Sequence, residues 1–195
     1  SDVCSSDLLC MYGMVNKALE DMVTSRQGED CWERIKQAAG VEVAVFISNE
    51  GYPDEMTYKL VGAVSEELKV PAQQVLEEFG KHWVLKTAAE GYGELMEAGG
   101  KTLKEFLLRL PTFHTNVALI FPQLNPPRFR CSDVGDLSLK LHYYSDREGL
   151  APFVIGVLKG LSERFSTLTR IEHVTARGQD EDHDVFLIDW SGDPA

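Results

Sequence analysis

Between Leu137 and Phe165 the chain reads LSLKLHYYSDREGLAPFVIGVLKGLSERF, and inside that stretch its apolar period changes from that of a strand to that of a helix. Leu137, Leu139, Leu141, Tyr143 and Ser145 alternate with Ser138, Lys140, His142, Tyr144 and Asp146, so one face is apolar and the other polar. Continued alternation predicts that Tyr143, Ser145 and Arg147 project the same way over ~13 Å, bringing two hydroxyls and a guanidinium to one edge. The chain then turns at Gly149, and Leu150, Phe153, Val154, Val157, Leu158 and Leu161 form a helical stripe that tolerates Pro152 in its first turn. A polar clamp leading directly into an apolar wall suits a ligand with an apolar body and an anionic rim.

The rest of the chain is read around that stretch. Met11, Met14, Val15, Ala18, Leu19 and Met22 predict a first amphipathic helix that frays into TSRQG, and Glu29 to Ala39 a second, built around Trp32 and Ile35 and ended by Gly40. VEVAVFISN, with no adjoining hairpin partner, reads as an extended connection. Pro53-Asp54 opens a third helix carrying Tyr58, Leu60, Val61, Val64 and Leu68. Pro71 opens a fourth that runs to Gly91 with Val75, Leu76, Phe79 and Trp83 on one side. Thr102 and Glu105 form a capping box for a helix whose apolar face is Leu103, Phe106, Leu107, Leu110, His114, Val117 and Phe121. Pro111 bends that helix just before His114, and Pro122 ends it. NPPRF, with Pro126 and Pro127, leads into a first strand, and Thr169 to Arg177 and Val185 to Trp190 form a closing hairpin across GQDEDHD. Helices first and a four-stranded antiparallel sheet afterwards make an α+β domain.

Composition narrows the function. A chain of 195 residues is one domain with a core large enough to house a cofactor. A formal charge of −12 with no basic stripe excludes a nucleic-acid surface. No apolar run approaches the ~20 residues of a membrane span, and a cytoplasmic protein is expected. The opening residues SDVCSSDL resemble the translation of a common sequencing-adapter oligonucleotide and lack the pattern of a signal peptide. Residues 1–10 are therefore read as a non-native leader, 11–190 as the domain and 191–195 as a tail. Cys31 and Cys131 then remain, read as reduced core thiols. By residue type alone His114 is a satisfied core histidine, and His82, His142 and His173 are ordinary polar groups. The acidic turn from Asp180 to Asp184, with His183, reads as a solvated hairpin tip.

Tyr143-x-Ser145-x-Arg147 within HYYSDREGL, together with MYGMVNKALEDM from Met11, EFGKHW, GYGEL and HDVFLIDW, resembles the H-NOX domains, the haem nitric oxide/oxygen binding family that includes the haem domain of soluble guanylate cyclase. The resemblance covers nearly the whole chain. It implies a haem b cofactor, with His114, in LPTFHTNV ahead of NPPRF, as the proximal ligand of ferrous iron. It implies that Tyr143, Ser145 and Arg147 hold the propionates and that Pro127 packs on the porphyrin, a loop-stiffening proline being the alternative. Tyr12 and Val15 are pocket or core residues. Oxygen-binding relatives carry a tyrosine five residues beyond the arginine, where this chain has Pro152 followed by Phe153. With only Trp83 as a distal donor or core filler, nitric oxide and carbon monoxide binding with little oxygen binding is expected. Nitric oxide would weaken the bond to His114, and a histidine kinase or diguanylate cyclase acting in trans is the implied partner. A sensory end of a longer guanylate cyclase, a haem enzyme and a gas carrier are the rivals.

Overall fold

The computed structural model describes residues 10–120, 126–178 and 180–190. Residues 1–9 of the expected 1–10 leader, Phe121 of the expected helix face, the helix stop at Pro122 and the tail over 191–195 lie outside them.

The chain opens on a short strand, not a helix. β1 (Cys10–Tyr12) pairs antiparallel with β2 (Gly51–Pro53), and α1 spans Gly13–Gln27. The expected helical start at Met11 is displaced because the connection before β2 folds over the helix end. Gly13 N donates to Glu50 O at 2.8 Å and Met14 N to Ser48 O at 3.2 Å, satisfying helix donors that have no partner inside the helix. That approach requires glycine, since a Cβ at position 13 would sit 2.1 Å from Ile47 O. The VEVAVFISN segment is irregular, as expected, and is anchored by buried Phe46 edge-on to Tyr52.

α2 (Glu29–Ala39) ends at Gly40 in the left-handed conformation, and α3 spans Asp54–Leu68. α4 (Ala72–His82) passes without a break into a π-helical stretch over Trp83–Ala88 and then α5 (Ala89–Ala98). The periodic reading missed the π turn and ended the helix at Gly91. α6 (Leu103–Ile120) begins as the capping box predicts, Glu105 N donating to Thr102 Oγ1 at 3.2 Å. The returning bond differs: Glu105 Oε2 accepts from Lys101 N instead of the cap residue. Pro111 lies inside the helix, as read from the sequence.

The C-terminal half is a four-stranded antiparallel sheet of β3 (Arg128–Ser132), β4 (Ser138–Tyr144), β5 (Arg170–Thr175) and β6 (Asp184–Asp189), in the order β3-β4-β6-β5. α7 (Ala151–Arg164) joins β4 to β5. Two apolar clusters make the core. One lies among α1 to α4 around Trp32, Ile35, Leu60 and Phe79, and the other between α6, α7 and the sheet around Leu107, Leu141, Leu158 and Phe186. Trp83 packs against both. The halves meet where α4 crosses α7 at backbone contact. A Cβ on Gly80 would lie 2.1 Å from Phe153 O, and one on Gly156 would lie 2.0 Å from Glu77 O. Among the described residues no helix is long and apolar enough to cross a membrane.

Candidate functional site

A cavity opens between the two clusters, walled by α1, α3, α4, the π stretch, α6, β3, β4 and α7. His114 faces into it from α6 between Phe113 and Phe129, with ring centroids 5.5 Å and 4.8 Å away. Its Nδ1 lies 3.1 Å from Leu110 O, one turn back along the same helix. A carbonyl only accepts, so Nδ1 carries the proton and the neutral ring keeps its lone pair on Nε2. Burial, which favours the neutral form, holds the ring's pKa below the ordinary histidine value against the opposing effect of the Leu110 bond. Pro111 leaves this carbonyl's role intact: it removes an amide donor and does not touch the Leu110 acceptor.

Beyond Phe129 on the same wall begins the polar group, with Tyr143 5.4 Å from that ring. Tyr143, Ser145 and Arg147 all line the cavity, but not as an extended strand. β4 ends at Tyr144, and the expected ~13 Å alternating row is replaced by a bend in which Arg147 N donates to Ser145 Oγ at 3.1 Å. A serine hydroxyl that caps the backbone two residues on competes with continued strand pairing, which explains the early end. Tyr143 hydrogen-bonds Ser145 through its side chain, and burial raises the pKa of its phenol. The Arg147 guanidinium reaches across to the first turn of α3. Nε donates to Asp54 Oδ2 at 2.7 Å and Nη2 to Asp54 Oδ1 at 3.4 Å, while Nη2 also donates to Cys10 O at 3.0 Å. Both side chains of the ion pair are about a tenth exposed or less, at 8% and 10%.

The remaining sequence-selected residues divide. Tyr12, Val15, Pro127, Trp83 and Phe153 line the cavity; Pro152 is not among the lining residues. Pro152 sits in the first turn of α7, and its neighbour Phe153 supplies the side chain, edge-on to Phe79 at 5.2 Å. The helical rotation between adjacent residues moves a side chain by about 100°, so one position decides which of the two faces inward. Sequence reasoning missed Asp54, Phe129, Thr57 and Tyr58. An aspartate after Pro53 reads as an ordinary helix start, and nothing local signals an arginine 93 residues away. The two hydroxyls on the wall are already engaged: Thr57 Oγ1 donates to Asn16 Oδ1 at 2.7 Å and Tyr58 OH to Glu148 O at 3.0 Å.

These features fit a flat apolar macrocycle carrying carboxylates and a metal. A neutral imidazole presents an unprotonated nitrogen, aromatic and aliphatic walls enclose the middle, and hydroxyls with a guanidinium stand at the rim. Among the described residues no cluster of three or more His, Cys, Asp or Glu side chains could hold a bare metal ion. Cys31 and Cys131 are free thiols, the first buried.

Comparison with known proteins agrees. The family model described as Haem-NO-binding matches residues 12–173. Soluble guanylate cyclase gcy-32 of Caenorhabditis elegans is 32% identical over 197 aligned residues, covering 94% of this chain and 29% of that protein. The beta-2 subunit of rat soluble guanylate cyclase is 32% identical over 60% of this chain and 18% of its own length. The chain thus spans under a third of the length of these curated relatives. Among solved structures, an H-NOX protein from S. oneidensis in the Fe(II) state superposes with a TM-score of 0.84 at 22% identity, covering 94% of this chain and 98% of that one. An H-NOX protein from S. oneidensis in the Fe(II)NO state gives 0.82 at 22%, over 92% and 98%.

Proposed function

This chain belongs to the haem-NO-binding family, and from that premise we propose a haem-based nitric oxide sensor in which His114 supplies the axial imidazole and Tyr143, Ser145 and Arg147 hold the propionates of haem b. The observation that carries the reading is the contact of His114 Nδ1 with Leu110 O, from which its tautomer follows. Nδ1 is tied to Leu110 O, so the lone pair of Nε2 is the one available to a metal. Pro127, Tyr12 and Val15 would pack against the macrocycle as cavity-wall residues. Ferrous haem, when bound, supplies an iron with one open axial position for a diatomic gas.

The choice of gas follows from the wall. Bound dioxygen requires a hydrogen-bond donor, and nitric oxide and carbon monoxide do not. Thr57 and Tyr58 direct their protons to Asn16 Oδ1 and Glu148 O, and Phe153 offers none. Trp83, the lining residue with an indole donor, packs against both apolar clusters as core filler, so the wall favours nitric oxide and carbon monoxide. The transmission is mechanical. Because Nδ1 is bonded to the backbone of its own helix, the imidazole does not move without α6, and a changed pull on Nε2 passes to the helix as a whole. The protein then acts by regulation, not catalysis, in the cytoplasm. The reader is a separate histidine kinase or diguanylate cyclase. A second reading has the domain as the sensory end of a longer guanylate cyclase; it is favoured by relatives of which this chain covers under a third.

Visible spectra of the reduced protein test the proposal. The expected results are a five-coordinate nitrosyl with nitric oxide, no stable oxygen complex in air, and loss of haem retention in His114→Ala. A stable oxygen complex would refute the distal argument, and unchanged axial ligation in the variant would refute the assignment of His114.

A further inference from the structure

On the outer face of the sheet, away from the cavity, four side chains form an unbroken row of hydrogen bonds. Ser132 Oγ lies 2.7 Å from His142 Nε2, His142 Nδ1 lies 2.8 Å from His183 Nε2, and His183 Nδ1 lies 2.5 Å from Asp182 Oδ1. His183 also stacks on Tyr144, with centroids 4.2 Å apart and planes at 19°. Ser132 belongs to β3 and His142 to β4, whereas Asp182 and His183 belong to the connection from β5 to β6. The row therefore fastens that connection to strands it does not otherwise continue.

Proton counting shows what the row can tolerate. A contact between two imidazole nitrogens holds one proton. With both rings neutral, donation runs in one direction, from Ser132 to His142 to His183 to the Asp182 carboxylate, and every group is satisfied. One added proton is also accommodated: His142 becomes a double donor and the Ser132 hydroxyl reverses to accept. A second added proton sets an N–H against an N–H between two cationic rings, and the contact must open.

We propose that Ser132, His142, His183 and Asp182 form a proton-switched latch, closed when it holds no more than one extra proton and released by the second. The charged surroundings set where it acts. Arg130 stands opposite His142 in the β3–β4 register, Lys140 lies two residues along β4, and Arg128 sits over the Tyr144 ring at 5.5 Å, all opposing added charge. Asp182 favours it, as does Asp133, whose carboxylate is shared with Lys140 at 2.8 Å. On β5 this face carries Glu172, opposite Leu187 and so in line with Lys140, its carboxylate paired with Arg170, whereas His173 and Asp184, 2.8 Å apart, share the inner-face register of Phe186 and Tyr143. Burial together with His183 and Arg130 depresses the pKa of His142, in keeping with a ring that resists a second charge.

The latch bears on the cavity through the pleat. Phe129, three residues before Ser132 on β3, and Tyr143, next to His142 on β4, face the opposite way, and Phe129 is the ring against His114. Release of the outer face would loosen the two strands that wall the inner one.

The test uses the full chain and needs no haem. Side-chain nitrogen NMR should show His142 and His183 titrating as a coupled pair in two steps separated by more than about one pH unit. Amide exchange at the start of β6, corrected for intrinsic chemistry, should quicken at least tenfold from pH 7 to pH 5. His183→Phe, which keeps the stack on Tyr144, should abolish that pH dependence. Asp182→Asn, at an exposed position, removes the compensating anion, and opening should then begin at a higher pH; it also serves if His183→Phe fails to fold. Two rings titrating independently, or either variant keeping the pH profile of the unmodified chain, would overturn the latch.

Discussion

Replacing Arg147 by alanine would strand the Asp54 carboxylate inside the protein, and the size of the effect can be worked from the local geometry. The guanidinium donates twice to Asp54 and once to Cys10 O, and the side chains of the pair are 8% and 10% exposed. Breaking a buried pair by removing one member costs about 3–5 kcal/mol, because the remaining charge keeps its desolvation and loses its partner. Asp54 lies in the first turn of α3, where amide donors and the helix dipole still favour an anion by about 0.3–1 kcal/mol. The expected loss is therefore at the lower end, ~3 kcal/mol. For a domain of this size that corresponds to a fall in Tm of about 6–12 °C. Asp54→Asn should cost less, ~2 kcal/mol, since the amide oxygen can still accept from the arginine. The double variant should fall short of the sum of the two by at least ~1 kcal/mol, because each single change removes the same contact. Urea unfolding of the haem-free protein measures all three. A coupling below about 0.5 kcal/mol, the range expected of independent sites, would refute the claim that the two residues act as one.

Other expectations concern the crossing of α4 and α7 and the pH range of stability. Gly156→Ala places a Cβ 2.0 Å from Glu77 O; overpacking against backbone costs about 3 kcal/mol, alanine's helix preference returns about 1, and a net loss of ~2 kcal/mol should appear as a lower urea midpoint at unchanged slope. Burial holds the pKa of His82 below the ordinary value, with its Asp21 contact opposing. The unfolded chain then takes up a proton near pH 6.5 that the folded chain resists, so this contribution is present above pH ~6.5 and lost as pH falls below it. Thermal melts of His82→Gln between pH 5 and 8 should show a shallower fall than the unmodified chain, and an equal or steeper one would contradict the sign.

The periodic elements were legible because their causes are local. α2 stops at Gly40, α6 starts at Thr102, and β4 alternates as written, since capping and pleat act within a few residues. The helical stripe of α7 and the placement of His114 on an apolar face followed from the same short-range rules, and the family resemblance turned that histidine from core filler into an expected ligand. Three things depended on contacts across the chain. Met11 and Tyr12 became a strand because the segment before β2 folds over Gly13. The guanidinium of Arg147, past the local bend at Ser145, is placed by an aspartate on another helix, 93 residues away in sequence. The π turn at Trp83–Ala88 sits where Gly160 of α7 closes on Val84, a fit that periodicity along one helix does not encode. Sequence alone determined which surfaces are apolar and which residue types can ligate or clamp. Tertiary structure decided which of them meet, because partners such as Arg147 and Asp54 or His142 and His183 are joined by folding across distances that no local pattern records.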